Sequence, residues 1–187
     1  MPPKVKVSKE SIIKTAVDMV RESGAESLNA RAVASALCCS TQPIFSNFKS
    51  MEELYFETVA AAYGIYSEFL KREVESGRYP AYKALGMAYV RFAVEEKELF
   101  KLLFMRDRSG EDTAPGEDFN SAAAMISETL GVSMEKAKLM HLEIWACVHG
   151  IAVMLATSFL TLEWELISSM LTDVYQGIRQ RFSEDEK

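Results

Sequence analysis

The chain has 187 residues, of which 49% are hydrophobic and 26% charged, and its formal net charge at pH 7 is −6. This composition is typical of globular proteins and excludes a disordered, collagen-like or low-complexity chain. No uninterrupted apolar run reaches the about 18 residues of a membrane-spanning helix, and the N-terminus lacks the apolar segment of a secretory signal. The three cysteines do not form a disulfide framework, so we expect a reduced, cytoplasmic protein without a membrane partner.

The charge is unevenly distributed along the chain. Residues 1–50 carry seven Lys and Arg against four acidic residues, which gives +3, whereas residues 51–187 carry 14 against 23, which gives −9. A basic segment on an acidic body favours contact with a polyanion such as nucleic acid. The first three lysines, Lys4, Lys6 and Lys9, form either a basic arm or a solvated tail.

Helical periodicity runs through nearly the whole chain, without a strand pattern or an internal repeat, and predicts an all-α fold. Capping residues and breakers set the ends of the helices. The breaker-rich residues 107–118 predict a flexible loop. The predicted helices lie between Ser8 and Gly24, Asn29 and Leu37, Ser40 and Lys49, Ser50 and about Ser76, Ala81 and Glu96, Glu98 and Arg106, about Phe119 and Leu130, Ser133 and about Leu160, and Glu163 and Phe182.

Residues 8–54 are the most informative stretch for function. They form three short helices, and a tight turn joins the second helix to the third. This is the layout of a helix-turn-helix, in which the later helix lies in the DNA major groove. Ile44 and Phe48, four residues apart, can anchor the third helix on its scaffold. The outward-facing candidates on that helix are all small or polar: Thr41, Gln42, Ser46 and Asn47.

The individual residues of this stretch sharpen the prediction. Without gaps over about 45 residues, the string resembles the N-terminal domain of TetR-family transcriptional repressors. Farther along, the segment Trp145-Ala146-Cys147-Val148-His149-Gly150 resembles the Trp-His-Gly motif of one subgroup of TetR regulatory domains. The matching N-terminal residues are Ile12, Ala16, Gly24, Leu28, Asn29, Arg31, Val33, Ala34, Leu37, Ser40, Ile44, Phe45, Asn47, Phe48, Lys49, Ser50, Glu53 and Leu54.

The resemblance implies a homodimeric DNA-binding regulator with a helix-turn-helix domain at 1–50 and a ligand-binding and dimerisation domain at 51–187. Each subunit would read half of a near-palindromic operator on double-stranded DNA. A small-molecule effector would bind the regulatory domain and release the DNA, so that the protein acts as a repressor and needs no cofactor. The last two long helices would form the dimer interface through apolar faces that include Ile151, Leu155, Phe159, Ile167, Leu171 and Val174.

The resemblance and the chemistry of the side chains together give the candidate DNA-binding residues. Gln42 is the best base reader, because its amide can pair with adenine through two hydrogen bonds. Thr41 and Pro43 can contact a thymine methyl, and Ser40, Asn47 and Lys49 fit phosphate contacts. Alternatively, Ser40 and Ser50 are only helix caps and Arg31 is a solvated charge. The full set is Arg31, Ser40, Thr41, Gln42, Pro43, Phe45, Asn47 and Lys49.

Two residues depart from the family pattern. The family usually has Gly in the turn where Cys38 stands, and a Cys with positive φ costs about 1 kcal/mol. The family often has Tyr at the position of Phe45, and a Phe side chain cannot donate a hydrogen bond to phosphate. The adjacent pair Cys38 and Cys39 is open to two interpretations, a redox sensor or two small apolar side chains.

In the regulatory domain, the candidate ligand-binding residues are Phe92, Phe104, Met125, Trp145 and His149. His141, Trp145 and His149 lie at positions i, i+4 and i+8 on one face of a helix. His149 is either the polar group of a pocket or a core residue bonded to a backbone carbonyl, and we expect Trp145 to be core. Two turns, about 12 Å of helix, separate the two histidines, so we expect no metal site.

Two other classes of function compete with this interpretation. An enzyme on a helical bundle needs a paired acid and base or a metal cluster, and the chain has two histidines and no CxxC or ExxH motif. We therefore expect no enzymatic activity. A helical protein-interaction bundle that no longer binds specific DNA fits the modest positive charge and the changes at Cys38 and Phe45.

Overall fold

The computed structural model describes residues 7–109 and 116–184, and within these ranges all regular structure is helical, without a strand. The predicted all-α fold is confirmed. A short 3-10 turn, Ala25–Ser27, follows the first helix. The helices of the described residues are α1 (Lys9–Ser23), α2 (Ala30–Ala36), α3 (Gln42–Asn47), α4 (Met51–Glu75), α5 (Ala81–Glu95), α6 (Lys97–Phe104), α7 (Glu117–Leu130), α8 (Met134–Ala156) and α9 (Trp164–Glu184).

Three predicted N-caps are confirmed. The side-chain oxygens of Ser8, Asn29 and Ser133 each accept a hydrogen bond from a backbone N–H three residues later, at the starts of α1, α2 and α8. These bonds satisfy N–H groups that have no partner within the helix. Gly131 ends α7 in the left-handed conformation, with φ of 69°. Local sequence signals therefore place most helix ends.

Several helix boundaries differ from the prediction by a few residues. Thr41 rather than Ser40 precedes α3, and its side chain makes no capping bond. Helix α8 ends at Ala156 instead of about Leu160, because Ser158 has a positive φ of 57° that breaks the helical path. The predicted loop at 107–118 falls partly outside the described residues, since 110–115 are not described, and its last two residues belong to α7.

The chain divides into two compact units. In its described part, the first unit comprises residues 7–68 and Glu96–Arg106. Helix α6 belongs to this unit and packs on α1. Its neighbours in sequence, α5 and α7, belong to the other unit. The Nε of Arg21 donates to Oε2 of Glu96 at 2.7 Å and ties α1 to the start of α6. The core beneath α1 to α4 is formed by Ile12, Ala16, Val33, Ala34, Ile44, Phe48 and Leu54.

The second unit comprises Phe69–Glu95 and the described residues from 107 to 184. Its centre is the contact of α5 with α8, and α7 and α9 pack against the same pair. Gly86 lies where α5 approaches α9 closely, because a Cβ atom there would come within 2.9 Å of Cδ2 of Leu171. The buried side chains of α8 and α9 include Met140, Ile144, Ile151, Ile167 and Leu171.

This packing corrects part of the expected dimer interface. Ile151, Ile167 and Leu171 were expected on an exposed apolar face, but each is buried in the core of the second unit. Phe159, by contrast, is 76% exposed. Periodicity identifies an apolar face, and it does not distinguish a face packed inside the protomer from one left for a partner.

Helix α8 is long and apolar enough to cross a membrane by length and composition alone. It is the one such helix among the described residues, and a third of its most apolar window is buried inside the protein. A core helix of a soluble protein passes the same test, so the feature is weak evidence for a membrane span.

Candidate nucleic-acid interface

Helices α2 and α3 form a helix-turn-helix at the surface of the first unit. The turn is closed by two hydrogen bonds, from the N–H of Cys38 to the carbonyl of Ser35 at 3.0 Å and from the N–H of Cys39 to the carbonyl of Ala34 at 2.9 Å. Cys38 has a φ of 52°, in the left-handed region. The turn thus keeps the conformation that glycine favours, with a cysteine in its place.

Replacing Cys38 by glycine is expected to raise the free energy of unfolding by about 0.5–1 kcal/mol. Glycine removes a backbone strain of about 1–2 kcal/mol and loses part of that gain through its more flexible unfolded state. Urea unfolding followed by circular dichroism measures the change. Cys38→Ala is the matched control, because alanine removes the thiol and keeps the strain. An equal gain in both variants would assign the effect to the thiol instead of the backbone.

Helix α3 is anchored by two buried side chains, as predicted. Ile44 and Phe48 are part of the core of the first unit. Gln42, Phe45 and Ser46 point away from this core and are exposed. The short helix therefore presents a defined outer face on a rigid support.

The structure divides the predicted DNA-contacting residues into two groups by exposure. Thr41, Pro43 and Asn47 are half-buried. Asn47 also donates its amide to the carbonyl of Pro43 at 2.7 Å, so this amide is already engaged within α3. The exposed group consists of Arg31 on α2, Ser40 in the turn, Gln42 and Phe45 on α3, and Lys49 after it.

The predicted capping box at the start of α4 is present with one change. The N–H of Glu53 donates to Oγ of Ser50 at 3.2 Å, and the carboxylate of Glu53 accepts from the N–H of Lys49 at 2.6 Å instead of from that of Ser50. The side chain of Lys49 borders an open groove of about 520 Å³ that also contains Glu52 and Glu57. These carboxylates offset part of the positive charge that Lys49 would offer to a phosphate.

Lys9, one of the three lysines of the predicted basic arm, is paired with a carboxylate. Its Nζ lies 2.5 Å from Oε1 of Glu57 on α4 and 5.4 Å from the ring centre of Phe48. The hydrogen bond to Glu57 raises the pKa of Lys9. Lys4 and Lys6, the other members of the predicted arm, lie outside the described residues. The structure thus attaches Lys9 to the scaffold of the first unit.

The five predicted ligand-binding residues do not all fall in one unit. Phe104 belongs to the first unit, where its ring packs on Tyr66 at 5.1 Å between centroids. Phe92 is fully buried in the second unit. Met125 is half-buried on α7, and Trp145 and His149 lie one turn apart on α8.

The expectation that Trp145 is a core residue is wrong. Its side chain is 37% exposed, and its ring stacks on the His149 ring at 4.9 Å between centroids and 15° between planes. His149 was open to two interpretations, and the structure places its Nδ1 2.8 Å from the hydroxyl of Tyr89. An i, i+4 spacing places the two rings together without specifying which side faces the core.

Two tyrosine–histidine hydrogen bonds join α5 to α8. Tyr82 pairs with Nδ1 of His141 at 2.8 Å, and Tyr89 pairs with His149 at the same distance. Because the order of the pairs is the same on both helices, α5 and α8 run in the same direction along this contact. Burial lowers the pKa of both histidines, that of His141 to about 4, and raises the pKa of both tyrosines. At pH 7 the imidazoles are therefore neutral, and the Nδ1 atom of each can accept a hydrogen bond from the tyrosine hydroxyl.

The second unit is expected to lose stability as the pH falls from about 6.5 to about 4. His141 has a pKa of about 4 when folded and 6.5 as its ordinary value, so the unfolded chain binds more protons in this window. The loss is about 2 kcal/mol after allowance for partial exposure. Both tryptophans, Trp145 and Trp164, lie in this unit, so urea unfolding followed by their fluorescence reports on it. His141→Gln should show a shallower pH dependence, and parallel curves would contradict the assignment.

Sequence reasoning also missed a half-buried ion pair between α4 and α5 in the second unit. The side chains of Glu73 and Arg91 approach to 3.9 Å, and the guanidinium of Arg91 lies 5.1 Å from the ring centre of Trp164. Oε1 of Glu73 and Nε of Arg91 are buried without a hydrogen-bond partner. Periodicity could not reveal this contact, because the three residues lie on three different helices.

The described residues contain no group of three His, Cys, Asp or Glu side chains that could hold a metal ion.

Residues 82–172, which run from α5 into α9, match a family model described as the tetracycline repressor-like C-terminal domain. This match supports a TetR-family regulator. The resemblance in the helix-turn-helix is thereby joined by an independent match at residues 82–172. No curated protein matches the chain.

Proposed function

We propose that this TetR-family regulator is a sequence-specific DNA-binding repressor, with its DNA-binding domain at residues 1–50 and its ligand-binding and dimerisation domain at 51–187. The observation that carries the proposal is the exposed face of α3, held by the buried side chains of Ile44 and Phe48. A rigidly supported short helix with an exposed Gln42 is suited to enter the major groove and pair with adenine.

The remaining contacts position the protein on the DNA backbone. Arg31, Ser40 and Lys49 are exposed and can donate hydrogen bonds to phosphates. Thr41 and Pro43 flank Gln42 and can contact a base edge. Asn47 donates one amide N–H to the carbonyl of Pro43 and keeps its second N–H for a phosphate. Gln42 and the three exposed donors therefore carry most of the proposed binding.

The functional protein is proposed to be a homodimer in the cytoplasm. Helix α8 leaves Leu139 and Leu142 about half exposed, and Leu166 on α9 is half exposed as well. Apolar side chains of this size on long helices favour a helical interface with a second copy. Two copies would present two α3 helices to the two halves of a near-palindromic operator.

Release of the DNA is proposed to follow from effector binding in the second unit. Residues proposed for the effector site in the second unit are Met125, Trp145 and His149, together with the buried ring of Phe92. The chain enters and leaves the first unit on either side of α6, which is tied to α1 through Glu96 and Arg21. A change in the second unit can therefore reach the helix-turn-helix through α6 and through α4.

Selection of bound sequences from a pool of random duplex DNA tests the proposal. The purified protein is used at about 0.15 M salt, where nonspecific binding is suppressed. An enriched inverted repeat is the expected result, and its half-site spacing reports the distance between the two α3 helices. Binding without any enriched sequence would instead support the helical interaction bundle, an alternative that the carboxylates beside Lys49 favour.

A further inference from the structure

Lys9 links three helices of the first unit. It is the first residue of α1, and its Nζ donates to Oε1 of Glu57 on α4 at 2.5 Å. The same Nζ lies 5.4 Å from the ring centre of Phe48, the residue that directly follows α3. A cation at this distance from an aromatic ring is attracted to its face. The two contacts therefore join the start of α1 to α4 and to the end of α3.

The ammonium group of Lys9 is committed to this link. The hydrogen bond to Glu57 raises the pKa of Lys9, and the negative charges of Glu57, Glu53 and Glu10 act in the same direction. The side chains of Lys9 and Glu57 are both about half-buried. A DNA phosphate that bound Lys9 would have to compete with the carboxylate of Glu57 for the same group.

The end of α3 leads directly into the residues proposed to hold the DNA backbone. Helix α3 has six residues, too few for its own hydrogen bonds to fix its direction, so that direction depends on how its ends are anchored. Phe48 is the buried anchor at its C-terminal end. Lys49 comes next, and its N–H donates to the carboxylate of Glu53 at 2.6 Å. A shift of the Phe48 ring would therefore move both α3 and Lys49.

We propose that Lys9 is a positioning residue for DNA recognition, which is held by Glu57 and fixes the ring of Phe48 and thereby the direction of α3. The inference rests on the proposed function and gives Lys9 a role other than a phosphate contact. A helix that is already oriented binds without the cost of ordering it. This gain concerns the operator, where α3 must fit the base edges, because nonspecific binding depends on the phosphate charges alone.

The test is a double-mutant cycle of Lys9→Met, Glu57→Ala and the double variant. Fluorescence anisotropy gives the affinity of each protein for the selected operator and for an unrelated duplex of the same length. The ratio of the two affinities is the readout, because charge effects that are common to all DNA cancel in it. We expect each single variant to lower this ratio about threefold. The double variant should lower it no further than Lys9→Met does, since both changes break the same link.

Two further variants separate positioning from folding. Lys9→Arg should keep most of the ratio, because a guanidinium can bond to a carboxylate and lie over an aromatic ring. Lys101→Met is the matched control, since Lys101 forms an ion pair of the same kind with Glu98 at 2.7 Å on α6 of the same unit. It should leave the ratio unchanged. A lowered ratio in this control would assign the effect to a general loss of stability and overturn the inference.

An unchanged ratio in Lys9→Met would also overturn the inference. If binding to both duplexes were then weaker and the salt slope smaller by about one per site, Lys9 would be a phosphate contact. Both of these results would leave the selection of an operator, and hence the proposed function, intact. Failure to select any operator would overturn the proposed function and the inference together.

Discussion

Replacing Phe48 by alanine is expected to lower the free energy of unfolding of the first unit by about 3–5 kcal/mol. The ring is 2% exposed and packs in the core with Ile44 and Leu54. Its removal loses the transfer free energy of a large apolar group and leaves a cavity beneath α3. Because both tryptophans lie in the second unit, the loss should be followed by circular dichroism and by amide hydrogen exchange in α1 to α3.

Phe45→Ala is the matched control for this prediction, since the two rings lie three residues apart on one short segment and differ in burial. Removal of the exposed ring should change the free energy of unfolding by no more than about 0.5 kcal/mol. Equal costs for the two variants would mean that the orientation of α3 on its scaffold is not the one described. A loss of less than about 1 kcal/mol in the free energy of unfolding of Phe48→Ala would also contradict the described orientation of α3.

Replacing Gln42 by alanine is expected to cost about 1–3 kcal/mol of binding free energy on the selected operator. The side chain is exposed, so the fold should be unaffected. The loss should be confined to operators that keep the adenine, because the variant no longer distinguishes that base pair. Anisotropy titrations against the operator and against single base-pair variants measure both effects.

Lys49→Ala provides the contrasting control. Loss of a phosphate contact should weaken binding to all duplexes by a similar factor and reduce the slope of log affinity against log salt by about one per site. If Gln42→Ala behaved in the same way, Gln42 would be a backbone contact. An unchanged operator affinity in Gln42→Ala would remove it from the interface.

The parts of the fold that the sequence predicts are those with local causes. Ser8, Asn29 and Ser133 cap the helices that follow them because a capping side chain reaches a backbone N–H only three residues away. The anchoring pair Ile44 and Phe48 is equally local. Spacing along the chain is sufficient to identify such features.

The parts that the sequence did not predict depend on contacts between distant helices. The partners of His141 and His149 are tyrosines about sixty residues earlier, and the exposure of Trp145 depends on how α8 is rotated against α5. The packing of α6 on α1 likewise follows from tertiary structure. Periodicity gives each helix an apolar side, and only packing determines its neighbour.

The central claim is that Gln42 on α3 contacts an adenine in the major groove. It is tested most directly by replacing each adenine of the operator half-site in turn by 7-deazaadenine, which removes the N7 acceptor and keeps the base pairing. We predict one adenine at which this change weakens wild-type binding and has no further effect on Gln42→Ala. If every such duplex affected the wild type and the variant equally, Gln42 would not be the reader of the operator.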